Sequence, residues 1–354
     1  MKWEENVRRV APYVPGEQPQ KKGIIKLNTN ECPYPPSPMV EEQMHKIAYQ
    51  DLRLYPEFSE KTAFAAGLAD YHHVRKEQIF VGVGSDDVLS MAFLTFFNSD
   101  KPVFFPDITY SFYDVWAELY RIPYEIKPLD EDFRIRKEDY RGNSGGVIFP
   151  NPNAPTGVLM GVDEIEEIVM ANRDVVVIVD EAYIDFGGTS CLPLLEKYEN
   201  LLVVRTFSKS RAMAGSRIGY AIGNVKLIGY LNDAKYSVNS YTMNRPALAL
   251  GLPSLQDEEY FQKICKKIVA TRERTAKELS ELGFIYPKSY GNFIFATHER
   301  VKAQVIFEEL KKYDIYVRFW NKPRIDNYLR ITIGTDEQMD ALFAALKEIL
   351  KNEK

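Results

Sequence analysis

Six short apolar runs, separated by turns and helix-like segments, constrain this chain more than any other feature. They are "QIFVGVG", "KPVFFP", "GGVIFP", "DVVVIVD", "LLVVRTF" and "RIGYAIG", and they fall between residues 78 and 223. Helical patterns at Lys61 to Tyr71, Asp87 to Phe97 and Asp163 to Ala171 are interleaved with them. A strand that is apolar throughout, with no polar alternation, must be covered on both faces. The runs therefore predict an α/β fold: a mostly parallel sheet sandwiched by helices.

After Arg245 the pattern changes. An amphipathic helix is expected over about 257 to 282, with Phe261, Ile264, Ile268, Ala276, Leu279 and Leu282 near helical spacing. The strands "NFIFATH", "IYVRFW" and "YLRITIG" follow, and Met339, Leu342, Phe343, Leu346 and Ile349 mark one face of a last helix. This reads as a smaller α+β unit. Residues 1 to 40, with "PYVPGEQP" and "ECPYPPSP", are too rich in proline for regular structure. The expected division is an arm that also contributes to the small domain (1–40), a large domain (41–245) and a small domain (246–354). At 354 residues the chain can bury both cores.

Composition removes several function classes. A formal charge of −5 gives no basic bias, so nucleic acid is not the expected partner. The chain opens MKWEENVRRV, with acids where a secretory core would be apolar, and no window reaches the roughly 20 apolar residues of a membrane span. Cys32, Cys191 and Cys265 are odd in number and far apart, which suits a reducing cytoplasm. His45, His72, His73 and His298 show no i, i+4 pair, and no metal site is expected.

Ligands of open parallel sheets bind beyond the carboxyl ends of the strands, and four polar signals fall at such ends. "VGVGSDD" places Gly84, Ser85 and Asp86 between a strand and a helix, where free N–H groups and the helix dipole favour a phosphate. It is neither a dinucleotide fingerprint nor a Walker loop. "NPNAPTG" makes a rigid loop after "GVIFP", and a plain turn would look the same. In "VVVIVDEAYIDF", Asp180 closes an apolar strand, where its carboxylate needs a cation or hydrogen bonds. A helix-capping acid is the alternative. In "VVRTFSKSRAMAGSRIG", Lys209 lies between an apolar strand and a turn of small residues. It can be a turn lysine, an anion-binding cation or an amine for covalent chemistry. A carboxylate, an amine and a phosphate cradle together suit a phosphorylated pyridine aldehyde, pyridoxal 5'-phosphate. Tyr110, in "PDITYSFY", offers an aromatic face for its ring.

With these residues in place, the chain resembles the fold-type I pyridoxal-phosphate aminotransferases, and among them the histidinol-phosphate aminotransferase family. The resemblance spans nearly the whole chain and rests on an ordered set: "PYVPGEQP", "LNTNECPYPPSP", "LYPE", "GVGSDD", "NPNAPTG", "DEAYIDF", "RTFSKSRAMAGSRIG" and "YLRITIGT". It implies that Lys209 holds the cofactor covalently and moves the proton from Cα. Asp180 would pair with the ring nitrogen, Tyr183 with the phenolate oxygen, and Tyr110 would stack on the ring. Gly84, Ser85, Asp86, Thr206, Ser208 and Arg217 would surround the phosphate. Tyr55, in "LYPE", would reach the cofactor of a neighbouring subunit, making the active unit a homodimer. Arg330 would bind the substrate carboxylate, and Arg318 and Tyr13 its phosphate, with Asn30 and Asn292 lining the same pocket. Many relatives have asparagine just before "PTG", where this chain has Ala154, so Asn153 is the nearest substitute. The implied reaction is transamination between L-histidinol phosphate and 2-oxoglutarate. An aromatic amino-acid aminotransferase or a threonine-phosphate decarboxylase is the alternative on the same scaffold.

Overall fold

The computed structural model describes residues 3–353. In chain order its elements begin with β1 (Ile25–Leu27), α1 (Pro38–His45), α2 (Ala63–His72), β2 (Ile79–Gly82), α3 (Gly84–Phe96) and β3 (Val103–Pro106). They continue with α4 (Tyr113–Tyr120), β4 (Tyr124–Lys127), β5 (Gly146–Pro150), α5 (Val162–Ala171), β6 (Val177–Asp180), β7 (Leu201–Thr206), β8 (Gly219–Gly223), α6 (Val225–Val238) and α7 (Arg245–Gln256). The last part holds α8 (Glu258–Glu281), β9 (Phe284–Ile285), β10 (Phe293–His298), α9 (Ala303–Lys312), β11 (Ile315–Phe319), β12 (Leu329–Thr332) and α10 (Asp336–Asn352). No helix among the described residues is long and apolar enough to cross a membrane.

All six apolar runs are strands of one seven-stranded sheet, in the order β2-β8-β7-β6-β5-β3-β4. Only β8 runs antiparallel to its neighbours. The central strands are buried on both faces: Val177, Ile178, Val179, Leu202 and Val203 have no exposed surface. Burying each such side chain is worth about 1.5–3 kcal/mol, so the layered core holds the strand ends still.

The second sheet has the order β1-β11-β12-β10-β9. Its parallel edge strand, β1, comes from the segment before α1 and pairs with β11. One apolar cluster joins Leu27, Phe261, Ile268, Phe293, Ile331 and Leu346 to Ala154, Tyr183 and Phe186, which follow the strand ends of the large sheet. The two sheets therefore share a core at the place where the polar signals converge. Helix α7 lies just beyond the change of pattern at Arg245, yet it packs with the first sheet's layer. Its Ala247, Leu250 and Leu255 share a cluster with Phe64 and Leu68 of α2.

Candidate active site

Register brings the strand ends together. Pro150 of β5 is level with Asp180 of β6, and Gly219 of β8 is level with both Gly82 of β2 and Thr206 of β7. A cavity of about 180 Å³ opens over these ends. Its walls include Ser85, Asp86, Tyr110, Asp180, Tyr183, Ser208, Lys209 and Arg217, together with Thr29, Glu31 and Ala154.

Asp180 forms the floor and is 5% exposed. Its Oδ1 accepts from the Ala182 N–H at 3.1 Å and its Oδ2 from the Tyr113 hydroxyl at 3.3 Å. Burial pushes its carboxyl up to about 7, against the pull of those two donors. The next residue differs. Glu181, also buried, is fully compensated by Arg205 at 2.8 Å, the Ser190 hydroxyl and the Cys191 N–H. Asp180 thus has donors but no paired cation among the described residues, and a protonated ring nitrogen is a group that would complete it.

Lys209 is half-buried, and its Nζ donates to the Thr29 carbonyl at 3.2 Å. It lies 5.7 Å from the centre of the Tyr183 ring. The Tyr183 hydroxyl accepts from Asn30 Nδ2 at 2.9 Å, and Asn30 takes a left-handed backbone (φ +56°). Asn292 Nδ2 donates to the Asn30 carbonyl at 3.0 Å, while Asn292 Oδ1 is buried with no partner. Buried polar oxygens are usually paired, so Asn292 Oδ1 is left able to accept a further hydrogen bond.

The opposite end of the cavity is a cradle. Helix α3 begins at Gly84, whose φ of +82° suits glycine. A Cβ there would sit 2.5 Å from Arg217 Nη2. A Cβ on Gly219 would lie 2.2 Å from the Ser85 nitrogen, so only glycine admits this approach of backbone to backbone. Thr206 Oγ1 accepts from the Ser208 N–H at 3.1 Å and shapes the same turn. Asp86 is different in kind. Its carboxylate accepts from the Tyr110 hydroxyl at 2.6 Å and pairs with Arg217 at 3.1 Å. It can offer an anion its backbone N–H in the first turn of α3, but its side chain anchors Tyr110 and Arg217. Burial, with Asp86 adding to it, pushes the Tyr110 hydroxyl well above its ordinary value, so it stays a donor. The residues present fit a phosphorylated pyridine aldehyde: one cavity is lined by a cradle, a buried acid without a paired cation among the described residues, and an amine.

Arg330 and Arg318 face each other across β12 and β11. Arg330 Nη2 donates to the Asn28 carbonyl at 2.9 Å, and its buried Nε has no partner. Arg318 Nη2 donates to the Val14 carbonyl at 3.0 Å. Burial pulls both guanidinium groups below their ordinary value. Tyr13 stacks on Phe112 with ring centres 4.2 Å apart.

Tyr13, Asn30, Asn292, Arg318 and Arg330 are not among the residues that line the cavity, and two expected cofactor residues also stand apart from it. Asn153 is buried with its amide committed to the Ile108 carbonyl, Thr156 and the Thr109 hydroxyl, so it braces the loop instead of facing the cavity. Ala154 takes the wall position and brings no donor. Tyr55 is 78% exposed and stacks on Tyr241, outside the cavity of its own chain. Sequence reading also missed residues. Tyr113 sits three positions after Tyr110, but nothing in "TYSFY" singles it out as the partner of Asp180. The Asn28 to Glu31 strap touches both Arg330 and Lys209 through main-chain carbonyls, which carry no sequence signature.

A sequence profile described as aminotransferase class I and II matches residues 22–346. The chain is 51% identical over 354 residues to the histidinol-phosphate aminotransferase of Lactococcus lactis subsp. cremoris strain MG1363, covering all of this chain and 99% of that one. It belongs to the histidinol-phosphate aminotransferase family of class I and II aminotransferases. Identity to the histidinol-phosphate aminotransferase of Clostridium beijerinckii is 50% over 352 residues, covering 99% of this aminotransferase and 98% of the relative. The crystal structure of histidinol-phosphate aminotransferase from Sinorhizobium meliloti in complex with pyridoxal-5'-phosphate superposes with a TM-score of 0.85 at 23% identity. That match covers 93% of this chain and 92% of the other, and it shows the common fold.

Proposed function

We propose that this aminotransferase exchanges the amino group between L-histidinol phosphate and 2-oxoglutarate, giving imidazole-acetol phosphate and L-glutamate, in the cytoplasm and as a step of histidine biosynthesis. The observation that carries this reading is the Arg318–Arg330 pair: two adjacent cations, with no ion pair among the described residues, of which Arg330 is bonded to Asn28, next to the cavity-lining Thr29. An anionic group is expected there, and a phosphorylated amine supplies it. Half identity to relatives of that name over the full chain supports the same substrate.

Bound pyridoxal phosphate would supply an aldehyde for covalent capture of the amine and a ring that takes up the electron pair released at Cα. The chain's own residues do the rest. Lys209 holds the cofactor and, once free, carries the proton from Cα as general base. Asp180 would keep a proton on the ring nitrogen, and Tyr183, aimed by Asn30, would donate to the phenolate oxygen, with Tyr110 offering an aromatic face to the ring. The Gly84, Ser85 and Asp86 amides, Thr206, Ser208 and Arg217 hold the phosphate. Arg330 takes the glutamate carboxylate or the substrate phosphate, with Arg318, Tyr13 and Asn292 beside it. The exposed Tyr55 reaches the cofactor of a second copy, so the working unit is a homodimer.

Single-turnover measurement with histidinol phosphate, histidinol, phenylalanine, threonine phosphate and glutamate tests the reading. Conversion of the cofactor to its amine form should be efficient with histidinol phosphate and glutamate. A preference for phenylalanine, or release of carbon dioxide from threonine phosphate, would overturn it.

A further inference from the structure

Arg318 and Arg330 are direct cross-strand partners, an arrangement that like charges make unfavourable. Their hydrogen bonds go to main-chain carbonyls, and among the described residues neither forms an ion pair. Trp320 is what they have in common. It follows Arg318 by two positions, and its half-buried indole lies under both cations. The Arg318 Cζ is 5.1 Å from the ring centre and the Arg330 Cζ is 5.2 Å from it. The same indole and Tyr110 line one small cavity.

An aromatic face attracts a cation through its quadrupole and leaves the N–H donors unspent. A carboxylate in the same place would neutralise the pair but would have to be displaced before an anionic substrate entered. The indole needs no displacement.

We propose that Trp320 is a positioning residue for substrate recognition, holding Arg318 and Arg330 together as one clamp for a dianionic phosphate. This rests on the reading that the amino substrate carries a phosphate. Trp320 reaches the reaction only through the two arginines, so its loss should weaken the phosphate-bearing substrate selectively.

The test compares histidinol phosphate with histidinol, which lacks the phosphate, in single-turnover binding to the cofactor-loaded enzyme. Trp320→Leu should weaken histidinol phosphate about tenfold and histidinol by less than about threefold. Trp320→Phe, which keeps a weaker aromatic face, should recover part of the loss. If the leucine variant fails to fold, Trp320→Phe carries the test, with a loss of about threefold confined to histidinol phosphate. Equal losses for the two compounds, or none in a folded variant, overturn the proposal. A wild-type enzyme with no preference for histidinol phosphate over histidinol would instead overturn the substrate reading and remove the basis for the clamp.

Discussion

Among the described residues, the acid at the end of β6 is buried without a paired cation, whereas on β11 and β12 two cations are partly buried without an acid. Among the described residues Asp180 has only an N–H and a tyrosine hydroxyl as donors, and its carboxyl rises to about 7. Arg318 and Arg330 have carbonyls and an indole, and both are pulled down by burial. Leaving buried charge uncompensated is costly, and this chain avoids it where only structure is at stake, as in Glu181 and Arg205. On the proposed function, the two ends are left open for charge that ligands bring: positive at the ring nitrogen, negative at the arginines. Rigidity also differs. The acid stands on a strand buried on both faces, while the arginines stand beside the proline-rich arm.

The largest effect should come from the amine that shares the cavity with Asp180. Lys209→Ala should lower the rate of the glutamate half-reaction by at least 10²–10⁴-fold, the range of a general base, in stopped-flow absorbance. Borohydride reduction of the wild type should leave its label on Lys209 in peptide mapping. A label elsewhere would break the assignment of this residue to covalent chemistry.

Asp180→Asn comes next, with a turnover loss of roughly 10²–10³-fold, the effect of one preorganised electrostatic group. The same variant has a second signature, in the ligand-free protein. Because the folded value of Asp180 lies above its ordinary 3.8, the folded chain binds a proton that the unfolded chain does not. Its contribution is therefore favourable at low pH and is lost as pH rises towards about 7. Thermal melts should show Asp180→Asn gaining on the wild type between about pH 4 and 7, by on the order of 2–4 kcal/mol. A gap that does not change with pH would mean that Asp180 is compensated after all, and the comparison with the arginine end would fail.

The arginines should separate by half-reaction. Arg330→Ala should damage both glutamate and histidinol phosphate. Arg318→Ala should weaken histidinol phosphate by roughly 10- to 150-fold, the worth of a charge-assisted hydrogen bond. Its effect on glutamate should stay within about threefold of the wild type. Equal losses in the two halves would move the substrate towards an unphosphorylated amino acid.

The smallest effect sharpens the acid end. Tyr113→Phe removes the one side-chain donor to Asp180 among the described residues and should raise the pH at which cofactor affinity depends on that acid. The loss of affinity should be about tenfold or less, as for one hydrogen bond to a charged group. In an Asp180→Asn background the same change should have almost no effect, and equal effects in both backgrounds would make Tyr113 a core tyrosine only.

Most of the fold was legible because its strands are apolar on both faces. Six runs with no polar alternation became six adjacent strands, and the helix expected over 257 to 282 spans Glu258–Glu281. That Lys209, Asp180 and the "GVGSDD" turn gather at one cavity was legible because polar residues closing apolar strands are locally conspicuous. Asn153 was misplaced because an amide looks the same whether it faces a ligand or binds its own loop. That choice was made by Ile108, Thr109 and Thr156. The packing of α7 was equally hidden, since an amphipathic face does not name its partner.

By itself, then, the sequence determined the layers, the strand ends and the residue types placed at them, because hydrophobic periodicity is local and repeats along the chain. Tertiary structure alone decided which charges go unpaired. Tyr113 reaches Asp180 across 67 positions, and Thr29 reaches Lys209 across 180. Whether a buried charge is left open depends on every neighbour around it in space, and that is settled only when the distant segments pack together.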